Sequence, residues 1–197
     1  MLPPDIDPVS RCRLPLVRRE DLDPDGQAQF DTVTGPGSTA IRGLMGPGGV
    51  QLHSPQLAKA ARPVNRFLRF ASGLTARERE VAILITAREC DSRFEWAAHE
   101  DEALRAGAPA ATVDAIKHRR ALTDVVPEDA LIIQLGREAF GLRRVGPETY
   151  RAVEARFGRE RLVNLVALMG NYAATAMLLT VVDMQLDDDA RAILPVD

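Results

Sequence analysis

The apolar residues along this chain repeat at spacings of three and four, which places them on one side of an α-helix. The β-branched residues lie within these helical patterns, and no segment shows the alternation of period two that is typical of a half-buried strand. The pattern therefore predicts an all-α fold.

The clearest prediction is a pair of helices between Thr75 and Gly107. Thr75 and Glu78 have the spacing of a capping box, which indicates that a helix begins at Ala76. A short polar sequence at 90–92 interrupts the apolar pattern, and a second helix then continues to the glycine at 107. We expect these two helices to form a hairpin.

Shorter helices are predicted on both sides of this hairpin. Most of them begin at or beside a proline, a residue that suits the first turn of a helix, and the starts are Ser54-Pro55, Pro109, Pro127 and Gly146-Pro147. Pro63 is expected to kink or divide its helix, because a proline inside a helix removes a backbone hydrogen bond. A last long helix is predicted from about Arg159 to Val182, after Gly158.

Composition suggests three segments along the chain. Prolines and charged residues dominate the first 26 positions, a short helix is predicted over Gln27–Thr34, and glycine and proline dominate residues 35–49. We therefore predict an extended N-terminal arm and Gly/Pro-rich loop over residues 1–50 and a helical domain over residues 51–186. Residues 187–197 are predicted to be an acidic, solvated tail.

Charge and hydropathy exclude several kinds of partner. A net charge of -3 gives no basic excess for binding nucleic acid or an anionic membrane. The apolar stretch 162–182 approaches the length of a membrane span, but Asn164 and Asn171 within it favour a buried core helix. Because the N-terminus also lacks the pattern of a secretory signal, we expect a cytoplasmic protein.

The two cysteines are Cys12 and Cys90, and they are far apart in the sequence. They form neither a CxxC pair nor a metal-ligand spacing, so the sequence predicts no disulfide framework and no metal site. This cysteine usage is compatible with a reducing compartment.

Three side chains in the predicted hairpin can move protons. Glu95 and His99 are four residues apart on the second helix, which places them on one face, and Glu80 lies on the preceding helix. A carboxylate beside an imidazole suits general acid/base chemistry near neutral pH. The alternative for His99 is a core histidine bonded to a backbone carbonyl.

Further residues are weaker candidates for lining a substrate pocket, namely Trp96, Cys90, His53 and Tyr172. Trp96 and Cys90 also fit simple packing roles, since a lone Trp and a buried thiol commonly fill core space. His118 has the position of a helix-surface residue. Three arginines could bind a substrate carboxylate or could instead be solvated or paired along a helix, and they are Arg77, Arg88 and Arg93.

The hairpin carries Arg79-Glu80 on its first helix and the sequence Glu-Trp-Ala-Ala-His at 95–99 on its second, and the segment 161–172 follows in the last helix. With these residues the chain resembles the carboxymuconolactone decarboxylase family over about residues 70–186. The resemblance implies the helical bundle of the alkylhydroperoxidase D-like superfamily, with the site on the hairpin. The chain resembles a longer member of that family with an N-terminal extension.

This resemblance implies a lyase that decarboxylates or isomerises a small carboxylated, cyclic or lactone metabolite without a metal or organic cofactor. His99 would be the proton donor or shuttle, Glu95 its partner, and Glu80 a second acid or orienting group. The resemblance also implies a homo-oligomer, a trimer or hexamer, with pockets at or near subunit interfaces. The identity of the substrate does not follow from it.

Two other functions remain open. Alkylhydroperoxidase D, in the wider superfamily, uses a CxxC pair ahead of the histidine, and Ser92 and Glu95 occupy those positions here. Thiol-dependent peroxide reduction of the peroxiredoxin type needs a nucleophilic and a resolving thiol, so this sequence disfavours it. The other alternative is a non-catalytic, ligand-binding oligomer that has kept the fold.

Overall fold

The computed structural model describes residues 2–187 and 194–195. Within these residues the regular elements are helical and no strand is present, which confirms the predicted all-α fold. The α-helices are α1 (Pro24–Thr34), α2 (Pro47–Gln51), α3 (Pro55–Phe70), α4 (Ala76–Glu89), α5 (Arg93–Arg105), α6 (Ala110–Lys117), α7 (Pro127–Gly136) and α8 (Pro147–Val181). The shorter elements are two 3₁₀ turns, Arg19–Asp21 and Gly43–Met45, and a π-helix, Arg137–Leu142.

The described chain divides into two compact units. The first contains residues 2–66 and 177–187, and the second contains residues 67–176 and 194–195. The boundaries after residues 66 and 176 fall inside helices, so α3 and α8 each contribute residues to both units.

In the first unit, residues 11–13 of the N-terminal segment pack against residues 182–185 near the end of the chain. Cys12 is buried against Val182, and the Arg13 backbone N–H donates to the Val182 carbonyl at 2.8 Å. The Gln185 N–H donates to the Arg11 carbonyl, also at 2.8 Å. These contacts satisfy backbone groups of a segment that the sequence predicted to be an extended arm.

The predicted arm also contains two helices. Asp23 caps α1 by accepting a hydrogen bond from the Gly26 N–H at 2.7 Å, and the predicted boundary after residue 50 falls inside α2. α1 contains the short helix predicted over Gln27–Thr34. The sequence pattern missed the packing of residues 11–13, because their partners lie near the opposite end of the chain and local spacing carries no information about them.

Most of the predicted acidic tail, residues 188–193 and 196–197, lies outside the described residues. Asp187 forms an ion pair with Arg11, with Oδ1 at 3.7 Å from Nε. Leu194 is buried in the core of the second unit. The chain is therefore packed at Leu194, although the sequence predicts a solvated tail there.

The second unit is built around α4. Residues 81–85 are fully buried, and α4 contacts α5, α6 and α7. Its start is fixed by the predicted capping box, in which the Glu78 N–H donates to Thr75 Oγ1 at 3.2 Å and the Thr75 N–H donates to Glu78 Oε2 at 2.8 Å. Such a box satisfies two backbone donors that the first turn of a helix leaves open.

The helix ends and breaks predicted from glycine and proline are partly confirmed. Gly107 has a φ of 90° just after α5, and Gly158 has a φ of 72° that interrupts the helical conformation within α8. α3, by contrast, continues from Pro55 to Phe70 with Pro63 inside it, so the proline does not divide the helix.

By length and composition, α8 is apolar enough to cross a membrane. Within the chain, 33% of its most apolar window is buried. Leu165 and Leu168 are fully buried, whereas Val163 and Val166 are 62% and 48% exposed. The sequence-based expectation of a buried core helix therefore holds for one face of α8 only.

A pair of glycine substitutions tests the packing of α4 against α7. A Cβ at Gly136 would lie 2.7 Å from Cγ1 of the buried Ile85, so Gly136→Ala should lower the free energy of unfolding by about 1–3 kcal/mol. Gly170 lies in α8 with no heavy atom within 4 Å of the added Cβ, so Gly170→Ala should raise it by about 0.5–1 kcal/mol. Urea unfolding followed by circular dichroism measures both. Equal stability of the two variants would contradict the close helix contact.

Candidate active site

The two helices of the hairpin bring His99 and Glu80 into direct contact. His99 lies on α5 and Glu80 on α4, and their side chains are 1% and 4% exposed. The His99 Nδ1 atom is 2.7 Å from Glu80 Oε2, a normal hydrogen-bond distance. The histidine is therefore buried against a carboxylate. The alternative from the sequence was a core histidine bonded to a backbone carbonyl.

Arg79 adds a second partner to Glu80. Its Nε donates to Glu80 Oε1 at 3.0 Å, so each carboxylate oxygen has a donor. Burial by itself raises the pKa of Glu80, but the hydrogen bonds and charges of His99 and Arg79 outweigh it and lower the pKa below its ordinary value. An ionised Glu80 can only accept hydrogen bonds, so the proton between it and His99 lies on Nδ1.

Glu95 faces the other nitrogen of the ring. Its Oε2 is 3.7 Å from His99 Nε2, too far for a direct hydrogen bond. Burial raises the pKa of Glu95, and the positive charges of His99 and Arg69 only partly oppose that rise. The two carboxyl groups thus differ: Glu80 is held as a carboxylate, and Glu95 is biased towards the protonated acid.

Tyr172, on α8, contacts the same cluster. Its ring meets the His99 ring edge to face, with centroids 5.2 Å apart and an interplanar angle of 84°. Burial raises the pKa of the phenol, so Tyr172 stays neutral and can donate a hydrogen bond. The structure therefore brings together four of the predicted site residues, Glu80, Glu95, His99 and Tyr172.

Trp96 lies in the hydrophobic core of the second unit and is fully buried. The Lys117 ammonium lies 5.8 Å from the centre of its ring. This environment matches the packing role among the two interpretations of Trp96.

Cys90 is separated from the cluster along α4. It follows Glu80 by ten positions, which corresponds to about 15 Å of helix. Burial raises the pKa of the Cys90 thiol, and the nearby charges of Glu89 and Asp91 raise it further. These surroundings favour the unreactive thiol over the thiolate. Cys12 and Cys90 are both free.

The other two histidines have different surroundings. His53 belongs to the first unit, where its Nε2 lies 2.9 Å from the Pro15 carbonyl oxygen. His118 is exposed at the end of α6, with Nε2 3.6 Å from Asp114, as expected for a surface residue. Neither contact connects these residues to the cluster around His99.

Two of the three arginines proposed from the sequence are engaged in structural contacts. Arg77 Nε lies 3.2 Å from Oδ1 of the buried Asp129. Arg88 is almost fully buried and donates through Nε to the Lys117 carbonyl at 2.9 Å, which satisfies the end of α6. Arg93 is exposed in the first turn of α5.

Sequence reasoning missed the residues that surround the cluster from α3. The Arg79 guanidinium donates through Nη1 to the Arg69 carbonyl at 2.8 Å. The guanidinium carbons of Arg69 and Arg79 lie 5.0 Å and 5.9 Å from the centre of the Phe70 ring. Arg79 stands beside Glu80 in the motif and could have been found there, but no spacing pattern links Arg69 to His99.

Among residues 2–187 and 194–195, no group of three or more His, Cys, Asp or Glu side chains is arranged to hold a metal ion.

The chain matches no protein-family model and no curated protein. The resemblance to the decarboxylase family therefore depends on the residues quoted above, within and after the hairpin.

The different states of the two carboxyl groups predict opposite effects of pH on stability. The contribution of Glu80 is present above the ordinary carboxyl pKa of 4.5 and is lost as pH falls through its lowered pKa. Glu80→Gln should therefore lower the free energy of unfolding near neutral pH, by about 1–3 kcal/mol, because His99 and Arg79 lose a charged acceptor.

Glu95 supplies the matched variant. Because folding raises the pKa of Glu95, its protonated form makes its full contribution to the free energy of unfolding below pH 4.5. This contribution is lost as pH rises through the folded-state pKa. Glu95→Gln imitates the protonated acid, so its stability relative to wild type should increase as pH rises above 4.5. Urea unfolding at a series of pH values below and above 4.5 measures both variants. The same pH dependence in both would show that the carboxyl groups do not differ.

Proposed function

We propose that this chain is a cofactor-free acid/base enzyme of the carboxymuconolactone decarboxylase-like type. It would decarboxylate or isomerise a small carboxylated metabolite, cyclic or lactone in form. The observation that carries the proposal is the buried imidazole between two carboxyl groups whose pKa values are shifted in opposite directions. Titratable groups with divergent pKa values are typical of acid/base pairs in enzymes.

The proposed decarboxylation assigns one task to each group. The bond between the substrate carbon and its carboxylate breaks, carbon dioxide leaves, and the electron pair delocalises into the adjoining carbonyl as an enolate. Glu95 in its acid form supplies a proton, and His99 Nε2 carries it to the carbon. Glu80 holds the Nδ1 proton and stabilises the imidazolium that forms in transit. Solvent then returns a proton to Glu95.

Isomerisation would use the same groups without loss of carbon dioxide. His99 Nε2 would remove a proton from one carbon, and the same relay would return it at another position of the conjugated system. The reaction conserves the substrate's atoms, so mass spectrometry separates it from decarboxylation.

A second candidate function is a non-catalytic, ligand-binding oligomer. The observation that favours it is the burial of His99, whose side chain is 1% exposed within one chain. In this reading the polar cluster fixes the hairpin and performs no chemistry. An active site instead requires an opening beside the cluster or a rearrangement of the side chains around it.

Turnover by point variants distinguishes these functions. Mass spectrometry of a panel of carboxylated lactones and keto acids, incubated with the protein, should reveal one that loses carbon dioxide or isomerises. His99→Ala and Glu95→Gln should then lower kcat by about 100-fold to 10,000-fold, since each removes an acid/base group. His118→Ala is the matched control, because it removes an exposed histidine outside the cluster.

Circular dichroism should show the same helical content in all these variants. Wild-type turnover in both His99→Ala and Glu95→Gln would overturn the lyase proposal. Tight binding of a panel member without conversion would favour the ligand-binding oligomer. Peroxide turnover that disappears in Cys90→Ser would instead support the thiol peroxidase.

We also propose that the chain acts as a cytoplasmic homo-oligomer, a trimer or hexamer, without nucleic acid or membrane partners. The exposed valines on α8, Val163 and Val166, support an apolar contact between copies. Asn164, between them, donates to the Ser72 carbonyl at 3.0 Å and so has a protein partner for its amide.

Val163→Asp tests this assembly. The new carboxylate would be desolvated in an apolar interface, so the variant should sediment at the monomer mass of 21.5 kDa while the wild type sediments as a larger species. Leu142→Asp is the control, because Leu142 is 73% exposed on a different helix. A monomeric wild type in analytical ultracentrifugation would contradict the proposal.

A further inference from the structure

One side of α3 is apolar and exposed. We call this surface the α3 face, and it consists of Leu57, Ala60, Val64 and Phe67. Leu57 and Val64 are each 54% exposed, Phe67 is 45% exposed, and Ala60 is exposed between them. The other side of the helix is packed, with Ala58 fully buried. Exposed apolar residues are common singly, but a continuous row of them indicates a contact site.

The residues of the α3 face have the spacing of a helix that packs against another helix. Successive members are separated by three, four and three positions, which corresponds to positions a and d of two heptads. In a coiled coil, side chains at these positions insert between those of the facing helix. The α3 face therefore matches a second helix better than it matches a small ligand.

The charges of α3 lie away from this face. The helix has no acidic residue, and its cations are Lys59, Arg62, Arg66 and Arg69. With Leu57 at position a, all four cations fall at positions c and f, on the outer side of a helix pair. The flanking positions e and g carry no charged side chain, and they are occupied by Gln56, Ala61, Pro63, Leu68 and Phe70. A partner helix on the α3 face therefore meets an uncharged row.

The α3 face ends at Phe70. The guanidinium carbons of Arg69 and Arg79 lie 5.0 Å and 5.9 Å from the centre of the Phe70 ring. The apolar row is therefore confined to the three turns before this residue, where its neighbours at e and g are uncharged.

Two of the α3 cations are used inside the chain. Lys59 Nζ donates to Asp25 Oδ2 at 2.8 Å. Arg62 Nε donates to Gln29 Oε1 at 3.0 Å, so both contacts are with α1. A helix that lies on an anionic membrane instead needs its cations along the border of the apolar face, where they reach the lipid headgroups. The α3 face therefore fits an apolar protein surface better than a lipid surface.

A second copy of the chain meets these requirements. Two α3 helices that pack antiparallel about a two-fold axis bring their apolar faces together and keep their cations apart, so like charges do not oppose each other. Each a position then faces a d position of the other copy. This arrangement pairs Leu57 with a phenylalanine and the small Ala60 with a valine, so large and small side chains alternate along the contact.

We infer that the α3 face binds the same face of a second copy, antiparallel and about a two-fold axis. One pair of 16-residue helices is expected to bury less than the roughly 1,200–2,000 Å² of stable complexes, so a single contact is weak. Three such contacts formed at once between two trimers reinforce one another. The pairing of α3 therefore joins two trimers into a hexamer, a step that rests on the trimer proposed above through α8.

An aspartate on the α3 face tests the contact. Val64→Asp places a carboxylate in the middle of the apolar pair, so it should convert the hexamer into trimers in analytical ultracentrifugation. Arg66→Asp is the matched control, because it introduces the same carboxylate at an exposed position away from the face, and it should sediment as wild type does. Circular dichroism checks that both variants are folded. Val163→Asp leaves only the weak contact and should still sediment as a monomer.

Cysteine cross-linking tests the partner helix directly and does not depend on the aspartate variants being folded. Paired helices lie about 8–10 Å apart, and Val64 is near the middle of the face, so two copies of residue 64 come close across the axis. Val64→Cys with a short bis-maleimide should therefore give a covalent dimer on a denaturing gel. Arg66→Cys should give no more dimer than wild type, which contains the free thiols of Cys12 and Cys90.

The outcomes for α3 and for α8 are distinguishable. A wild-type hexamer that becomes a trimer in Val64→Asp, together with the Val64→Cys cross-link, supports the inference. A wild-type dimer that dissociates in Val64→Asp also supports the pairing and counts against the trimer. A trimeric wild type that Val64→Asp does not change and Val64→Cys does not cross-link overturns the inference and leaves the α8 contact standing. Cosedimentation with phosphatidylglycerol vesicles that is lost in Val64→Asp also overturns it, in favour of a membrane surface.

Discussion

The hydrogen bond between Glu80 and His99 is the contact on which both the hairpin and its chemistry depend. It joins α4 to α5 inside the second unit, at 2.7 Å, between side chains that are almost fully buried. A buried carboxylate is costly unless it is paired, and removing one partner of such a pair leaves an uncompensated charge. Arg79 offsets part of this cost through the second carboxylate oxygen. The contact fixes the helix pair and also determines which nitrogen of His99 holds the proton.

The two carboxyl groups show how environment gives one residue type two roles. Glu80 and Glu95 are equally buried, at 3% exposure each. Glu80 accepts hydrogen bonds from Arg79 and His99 and has a lowered pKa, while Glu95 has no direct hydrogen bond to His99 and has a raised pKa. Burial alone would raise the pKa of both acids. The difference therefore depends on the Arg79 and His99 hydrogen bonds, both of which converge on one glutamate.

Local signals in the sequence were sufficient for the helices and for part of the site. The capping box at Thr75 predicted the start of α4 correctly, and the four-residue spacing placed Glu95 near His99. The same spacing ranked Glu95 as the histidine's first partner, whereas the closer contact is Glu80, nineteen positions away on the other helix. Helical periodicity relates residues within one helix and cannot measure distances between two.

The same limit explains what the sequence did not predict. The N-terminal segment is packed because Arg13 and Arg11 pair with residues near the end of the chain. Arg69 joins the surroundings of Glu95 only through the placement of α3 beside the hairpin. Neither relation has a characteristic spacing, so both depend on tertiary contacts that patterns in a single sequence do not contain.

Stability alone gives little reason for this chain to bury four titratable groups at one place, Glu80, Glu95, His99 and Tyr172. Replacing a buried polar cluster by well-packed apolar side chains is often neutral or stabilising, and the core around α4 is otherwise apolar. The burial of Glu95 is the hardest to explain by stability, because this residue has no direct hydrogen bond to His99 and its charged form is disfavoured. A leucine or methionine would fill that space at lower cost. The position of this acid, 3.7 Å from an imidazole nitrogen, suits the proton transfer proposed above, and that function would account for its burial.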